Sequence, residues 1–232
     1  MRFGVVIFPG SNCEQDVVHA VRYLGHEAVY VWHGDTDLSG LDAVVLPGGF
    51  SYGDYIRCGA VARFSPVMSE VLRFAEKGGP VLGICNGFQI LCEAHMLPGA
   101  LLRNAGLKFI CKTVDLRVED SVCQWLDVPA GSRLRIPINH NEGNFICDAG
   151  TLERLSANKQ IVLRYCEPDG SRVSAGSAPN GALDDIAGIC NERGNVFGLM
   201  PHPERVVDPL GGGTDGRHVF ESIARRFAEV AG

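Results

Sequence analysis

The chain has 232 residues, and its 46% hydrophobic content is ample for a sizeable core. Lys and Arg number 21 against 27 Asp and Glu, a formal charge of −6. That balance argues against nucleic acid or an anionic membrane surface as the main partner, because both call for a positive field.

From the N-terminus, Phe3 to Phe8 is a compact apolar run closed by Pro9-Gly10-Ser11. Ser11 and Glu14 have the spacing of a capping box, and Cys13, Val17, Val21 and Leu24 share one helical face. Gly25 stands where a helix would end, and Glu27 to Trp32 returns to strand character. Asp42 to Leu46 is a third short strand, closed by Pro47-Gly48-Gly49. Ser65 and Pro66 open a helix that carries Val67, Val71 and Phe74 inward. Pro80 to Ile84 predicts a fourth strand, and Asn86 to Ala94 the next helix. Apolar strands alternating with helices predict a mostly parallel sheet covered on both faces.

The second half changes character. Lys108 to Arg117, Arg133 to Ile138 and Ile161 to Cys166 read as strands with few helical signals between them. Ile186 to Cys190 and Val196 to Met200 flank a turn and predict an antiparallel hairpin. A final amphipathic helix is expected from Gly216 to Val230, with Val219, Phe220, Ile223 and Phe227 on its apolar side. No linker, repeat or low-complexity stretch interrupts the chain, so one domain over residues 1–232 is expected. Nine cysteines at irregular spacings, without Cys-x-x-Cys, point to free thiols in a reducing cytoplasm and to no structural metal. Neither a leader peptide nor a membrane span is expected.

Three segments carry chemistry. Gly83-Ile84-Cys85-Asn86-Gly87 falls where a strand hands over to a helix, the pattern of a nucleophile elbow. The flanking glycines suit a crowded turn, and the helix N-terminus offers unpaired N–H groups and partial positive charge, which suit a reactive thiol. A core cysteine in a βα unit would give the same spacing. Met200-Pro201-His202-Pro203-Glu204 changes the balance. In an extended backbone, residues two apart point the same way, and Pro203 disfavours helix at His202, so the base and its acid could face Cys85 together. Pro47-Gly48-Gly49-Phe50 follows a strand at the same sheet edge, where a glycine N–H and the N–H of Asn86 could hold an oxyanion.

Together these segments resemble the class I glutamine amidotransferases, whose fold is flavodoxin-like. The likeness extends to Phe8 through Cys13, Pro47 through Gly59, Gly83 through Leu91, Pro201 through Arg205, and Gly212 through Gly216. The longer stretches are similar to glutaminase subunits that serve a ligase of purine biosynthesis. The resemblance implies Cys85 as nucleophile, His202 as base and Glu204 as its orienting acid. It implies Gly49 and Asn86 as oxyanion donors, with Gly48 and Gln89 bordering the glutamine. Around Asn139 to Asn144 the family often shows His-Gly-Glu-Gly; here Asn141 replaces the first glycine, which leaves this stretch open between pocket wall, partner contact and structural loop.

The chain has no Gly-x-x-x-x-Gly-Lys-[Ser/Thr] loop, so no cofactor is expected on it. ATP and magnesium are expected on a large synthetase subunit, joined by a small bridging subunit. Gly211 to Thr214 reads as a flexible or partner-facing loop. The competing expectations are a stand-alone γ-glutamyl hydrolase and a catalytically silent scaffold.

Overall fold

The computed structural model describes residues 1–172 and 176–231, with side chains described through residue 226 outside that gap. The first half builds β1 (Arg2–Ile7), α1 (Glu14–Tyr23), β2 (Glu27–Trp32), β3 (Ala43–Leu46), α2 (Pro66–Glu76), β4 (Val81–Ile84) and α3 (Asn86–Glu93). The second half adds β5 (Ala100–Leu102), β6 (Ile110–Val118), β7 (Arg133–His140), β8 (Asn144–Ile146) and α4 (Ala149–Ala157). It continues through β9 (Ile161–Cys166), β10 (Ile186–Cys190), β11 (Val196–Leu199) and α5 (Arg217–Ala231).

Nine strands form one sheet in the order β2-β1-β3-β4-β11-β10-β9-β6-β7, while β5 and β8 pair separately. From β2 to β11 every pairing is parallel, and from β11 to β7 every pairing is antiparallel. The fold is thus the expected mostly parallel α/β sheet with an antiparallel extension. The parallel strands β3 and β4 are buried at every residue, as strands covered on both faces must be. α1 packs on β1 and β2, and α3 packs on β3, β4 and β11.

Chain order runs outward from β1 in opposite directions, to β2 on one side and β3 on the other. In open parallel sheets such a reversal leaves a crevice beyond the carboxyl ends of the strands. The loops after β1 and β3 meet there: Cys13 N donates to Gly48 O at 3.2 Å and Phe50 N to Gly10 O at 2.9 Å.

Some local expectations are corrected. The capping box does not form, because Ser11 Oγ turns back to accept from Phe8 N at 3.1 Å and Cys13 occupies the cap position. Ser65 does precede α2, yet its hydroxyl meets the Tyr52 hydroxyl at 2.9 Å instead of capping. The second half holds a helix that was not expected, α4, capped by Asp148 accepting from Thr151 N at 2.9 Å. Of the glycine-rich stretch, Gly211 ends a short 3-10 turn at Pro209–Gly211, and residues 212–214 lie outside any helix or strand. Val219, Phe220 and Ile223 are buried as expected, whereas Phe227 lies outside the residues whose side chains are described.

Candidate active site

β4 delivers Cys85 to the crevice and α3 leaves from the next residue. Cys85 has φ 51° and ψ −104°, a backbone that no ordinary helix or strand residue adopts. Its neighbours allow this only as glycines. A Cβ on Gly87 would lie 1.9 Å from the carbonyl oxygen of Leu46, and one on Gly83 would lie 2.7 Å from Gly87 O. Cys85 N donates to Leu199 O at 2.8 Å, which pins the turn to β11. Cys85 is 6% exposed, and its thiol faces the carbonyl of Asn139 at 3.8 Å.

β11 ends two residues before Pro201, and the chain then delivers His202 beside Cys85. His202 N donates to Pro137 O at 2.8 Å, which ties this turn to β7. The expected pairing of His202 with Glu204 is present, with Nδ1 and Oε1 2.7 Å apart and both side chains buried. Its local cause differs from expectation: Pro203–Arg205 is a 3-10 turn, not extended chain, and the turn folds the carboxylate back to the ring. Burial pushes the His202 pKa down, but the charges of Glu204 and Cys85 and contacts with the Cys13 and Cys85 thiols outweigh it, holding it well above ordinary. The other ring nitrogen, Nε2, is buried without a hydrogen-bond partner.

Gly48 makes room for this histidine. A Cβ there would sit 2.8 Å from His202 Cε1 and 3.1 Å from Cys13 Sγ. Gly49 follows, packed so closely on the β1 loop that a Cβ would come within 2.7 Å of Ser11 Cα. Asn86 opens α3, where the first N–H groups lack intrahelical acceptors. Its side chain braces the site: Oδ1 accepts from Ser51 N at 3.1 Å and Nδ2 donates to Gln89 Oε1 at 2.8 Å. Gln89 in turn donates to Glu142 O at 2.5 Å, so its amide holds the pocket wall while lining the pocket.

Cys85, His202, Gly49 and Gln89 all line one cavity of about 120 Å³. Asn139, His140, Asn141 and Glu142 also line it, so this stretch forms part of the pocket wall. That loop is held from behind by two fully buried amides. Asn104 Nδ2 donates to His140 O at 2.9 Å while its Oδ1 accepts from Gly143 N at 3.0 Å. Asn180 Nδ2 lies 3.1 Å from His140 Nε2 and donates to Gly143 O at 2.8 Å. An amide NH₂ can only donate, so Nε2 is the acceptor and the neutral ring carries its proton on Nδ1. Burial, with the His202 charge adding to it, lowers the His140 pKa to about 3.

Three pocket residues were not singled out from the sequence. Cys13 had been read as one position of an apolar helix face; instead its sulfur accepts from Arg205 Nη2 at 3.3 Å and lies within 4.8 Å of His202 and Glu204 ligand atoms. Asp54 and Cys58 sit inside the Pro47 to Gly59 motif, which was the one available signal for them. Seven of the nine cysteines are buried, and all nine are free.

The crevice, the elbow and the paired His and Glu are the architecture of a glutaminase domain, and the chain belongs to the family described as CobB/CobQ-like glutamine amidotransferase domain, whose model matches residues 1–213. Within that family it is similar to the phosphoribosylformylglycinamidine synthase subunit PurQ of Moorella thermoacetica. The two are 55% identical over 225 residues, covering 96% of this chain and 95% of the relative. The same subunit from Gloeobacter violaceus is 54% identical over 225 residues, covering 96% and 97% of the two chains. Among solved structures, PurLQS from Thermotoga maritima contains a chain 45% identical, with TM-score 0.85, covering 97% of this chain and 98% of that one.

Proposed function

We propose that this chain is the glutaminase subunit of a phosphoribosylformylglycinamidine synthase, acting as one domain. The observation that carries the chemistry is a thiol held at a strained strand-to-helix turn in one pocket with a buried, carboxylate-paired histidine. Cys85 attacks the side-chain carbonyl of glutamine, and the N–H groups of Gly49 and Asn86 stabilise the oxyanion. His202 takes the thiol proton and gives it to the departing ammonia, leaving a γ-glutamyl thioester. It then activates water, which releases glutamate. Glu204 keeps the ring oriented and stabilises its charged form. Gly48 clears the ring's space, and Gln89 fixes the wall against which glutamine lies.

The ammonia passes to a partner that converts formylglycinamide ribotide to formylglycinamidine ribotide in purine biosynthesis. ATP and magnesium belong to that large synthetase subunit, with a small bridging subunit completing the assembly. Support comes from the relatives' names and from the Thermotoga maritima chain in PurLQS. A cytoplasmic setting fits nine free cysteines; no helix among the described residues is long and apolar enough to cross a membrane.

The test is glutamate release by Cys85→Ser, measured in the assembled complex. Activity should fall by several orders of magnitude, as loss of a covalent nucleophile does, with the fold intact. Retention of more than about a tenth of the wild-type rate would exclude Cys85 as nucleophile.

A further inference from the structure

One thiol of the pocket takes no part in the attack on glutamine, yet it is committed to the histidine. Cys13 stands at the N-cap position of α1, and its side chain caps nothing. That position favours a side chain that accepts from the first N–H groups of the helix, so this thiol serves something else. Its S–H donates to Asn12 Oδ1 at 3.1 Å, and its sulfur accepts from Arg205 Nη2 at 3.3 Å. Cys13 is 2% exposed, and its sulfur lies within 4.8 Å of a ligand atom of His202 and of Glu204. The point that a Cβ on Gly48 would occupy is 2.8 Å from His202 Cε1 and 3.1 Å from Cys13 Sγ. With no side chain on Gly48, the ring and the sulfur are neighbours across that space.

Arg205 ties this thiol to the turn that carries the histidine. It follows Glu204 directly on the 3-10 turn Pro203–Arg205, and its Nε lies 3.4 Å from Oδ2 of Asp16 in the first turn of α1. One guanidinium thus grips α1 through Asp16 and the cap residue through Cys13. Burial works against the Arg205 charge, but Cys13, Glu204 and Asp16 around it favour it more. Glu204 needs such a neighbour: it is 2% exposed, Oε1 meets His202, and Oε2 is buried with no hydrogen-bond partner. A hydrogen bond at Nδ1 fixes the imidazole at one atom, whereas a contact on its flank fixes the tilt of the ring as well.

We propose that Cys13 and Arg205 act as one positioning unit, which holds the His202 ring in line between Glu204 and Cys85. This deepens the glutaminase reading and rests on it. Neither residue exchanges a proton with glutamine; the unit acts through the histidine.

The experiment measures glutamate release by the assembled complex. Cys13→Ala removes both bonds of the thiol and should lower kcat at least about tenfold with KM within about threefold, since a small displacement of the base slows chemistry and not binding. Cys13→Ser can donate and accept as the thiol does, and should recover kcat to within about fivefold of wild type. Arg205→Lys keeps the charge but not the planar fork that reaches Asp16 and Cys13 together, so it should lose kcat as Cys13→Ala does. The double variant should fall no more than about twofold below the slower single one, as coupled members of one unit do. Alkylation of Cys85 by iodoacetamide, read on its peptide by mass spectrometry, needs no glutamine and should slow in Cys13→Ala along with kcat.

Unchanged kcat in Cys13→Ala would overturn the proposal, as would a rise in KM alone, a serine variant as slow as the alanine one, or losses that simply add in the double variant. Denaturant melts accompany each variant, and a loss of activity that only follows a loss of folded protein would overturn it too. If Cys13→Ala does not fold, Arg205→Lys carries the same test, and unchanged kcat there overturns the unit. Cys85→Ser is the separating control. Activity in that variant sinks the glutaminase reading, whereas an inert Cys85→Ser beside an unaffected Cys13→Ala sinks only the positioning unit.

Discussion

His202 commits one ring nitrogen to Glu204 and leaves the other unpaired beside Cys85, and this asymmetry sets what each substitution should do. His202→Ala removes the proton carrier outright. Glu204→Gln keeps the shape and the hydrogen-bonding reach but loses the charge that favours the imidazolium. Glutamate release should therefore fall by about tenfold or more in Glu204→Gln and further still in His202→Ala. A silent Glu204→Gln would reduce the arrangement to a Cys-His pair. Cys92 supplies the internal comparison: buried on α3, its thiol faces only the carbonyl of Pro98 at 3.8 Å. Cys92→Ala should leave kcat within about threefold, since packing changes away from the site alter stability before chemistry. His140 gives a pH prediction. Its pKa falls from 6.5 to about 3 on folding, so between those values the unfolded chain binds the extra proton. Stability should therefore decline as pH drops from 6.5 toward 3, and His140→Gln should flatten that part of the profile in denaturant melts.

At the scale of elements, the βα turn is the feature most exposed to test. Gly87→Ala places a Cβ 1.9 Å from a backbone oxygen, so the turn itself has to shift. A loss of about 1–3 kcal/mol is expected by denaturant unfolding, together with loss of glutaminase activity. Gly106→Ala, with nothing within 4 Å of the added carbon, should stay within about 0.5 kcal/mol of wild type. The elbow was legible in the sequence because the same two glycines that relieve these contacts form the motif. The strand-helix alternation to Glu93 was legible for a similar reason, since runs of fully apolar residues mark buried parallel strands. β5 and β8 were not, because each has only three residues and too few for a periodicity. α4 was missed although Asp148 capped it, since only Thr151 and Leu155 of its nine residues are buried and its apolar stripe is thin. The Ser11 expectation failed because a serine after a strand has two nearby N–H groups to accept from, and the turn at Phe8 won. The pocket's His-Glu and Cys residues were readable from motif; Asp54 and Cys58 were not, because only the folded loop brings them to Glu142.

On the scale of the whole molecule, the loop after β3 that lines the pocket through Phe50, Asp54 and Cys58 also carries exposed apolar side chains. Tyr55 is 78% and Ile56 83% exposed, on the loop that also carries Phe50 and Asp54. Ile56 holds φ 72°, a costly backbone for a β-branched residue, which the surrounding structure must hold in place. Contact with the synthetase is expected to favour the arrangement in which Gly49 N–H faces the oxyanion. Glutamate release by the isolated chain should then rise at least about tenfold on adding the synthetase subunits with nucleotide and ribotide. Full activity in isolation, unchanged by any partner, would favour a stand-alone hydrolase. The central claim, a thioester on Cys85 that feeds the partner, is tested most directly by trapping it. The assembled complex is mixed with glutamine, quenched in acid within milliseconds, digested and examined by mass spectrometry. A γ-glutamyl group is predicted on the peptide containing Cys85 and on no other, rising and decaying with turnover. Steady glutamate release with no adduct at Cys85, or with the adduct on a different cysteine, would contradict the account.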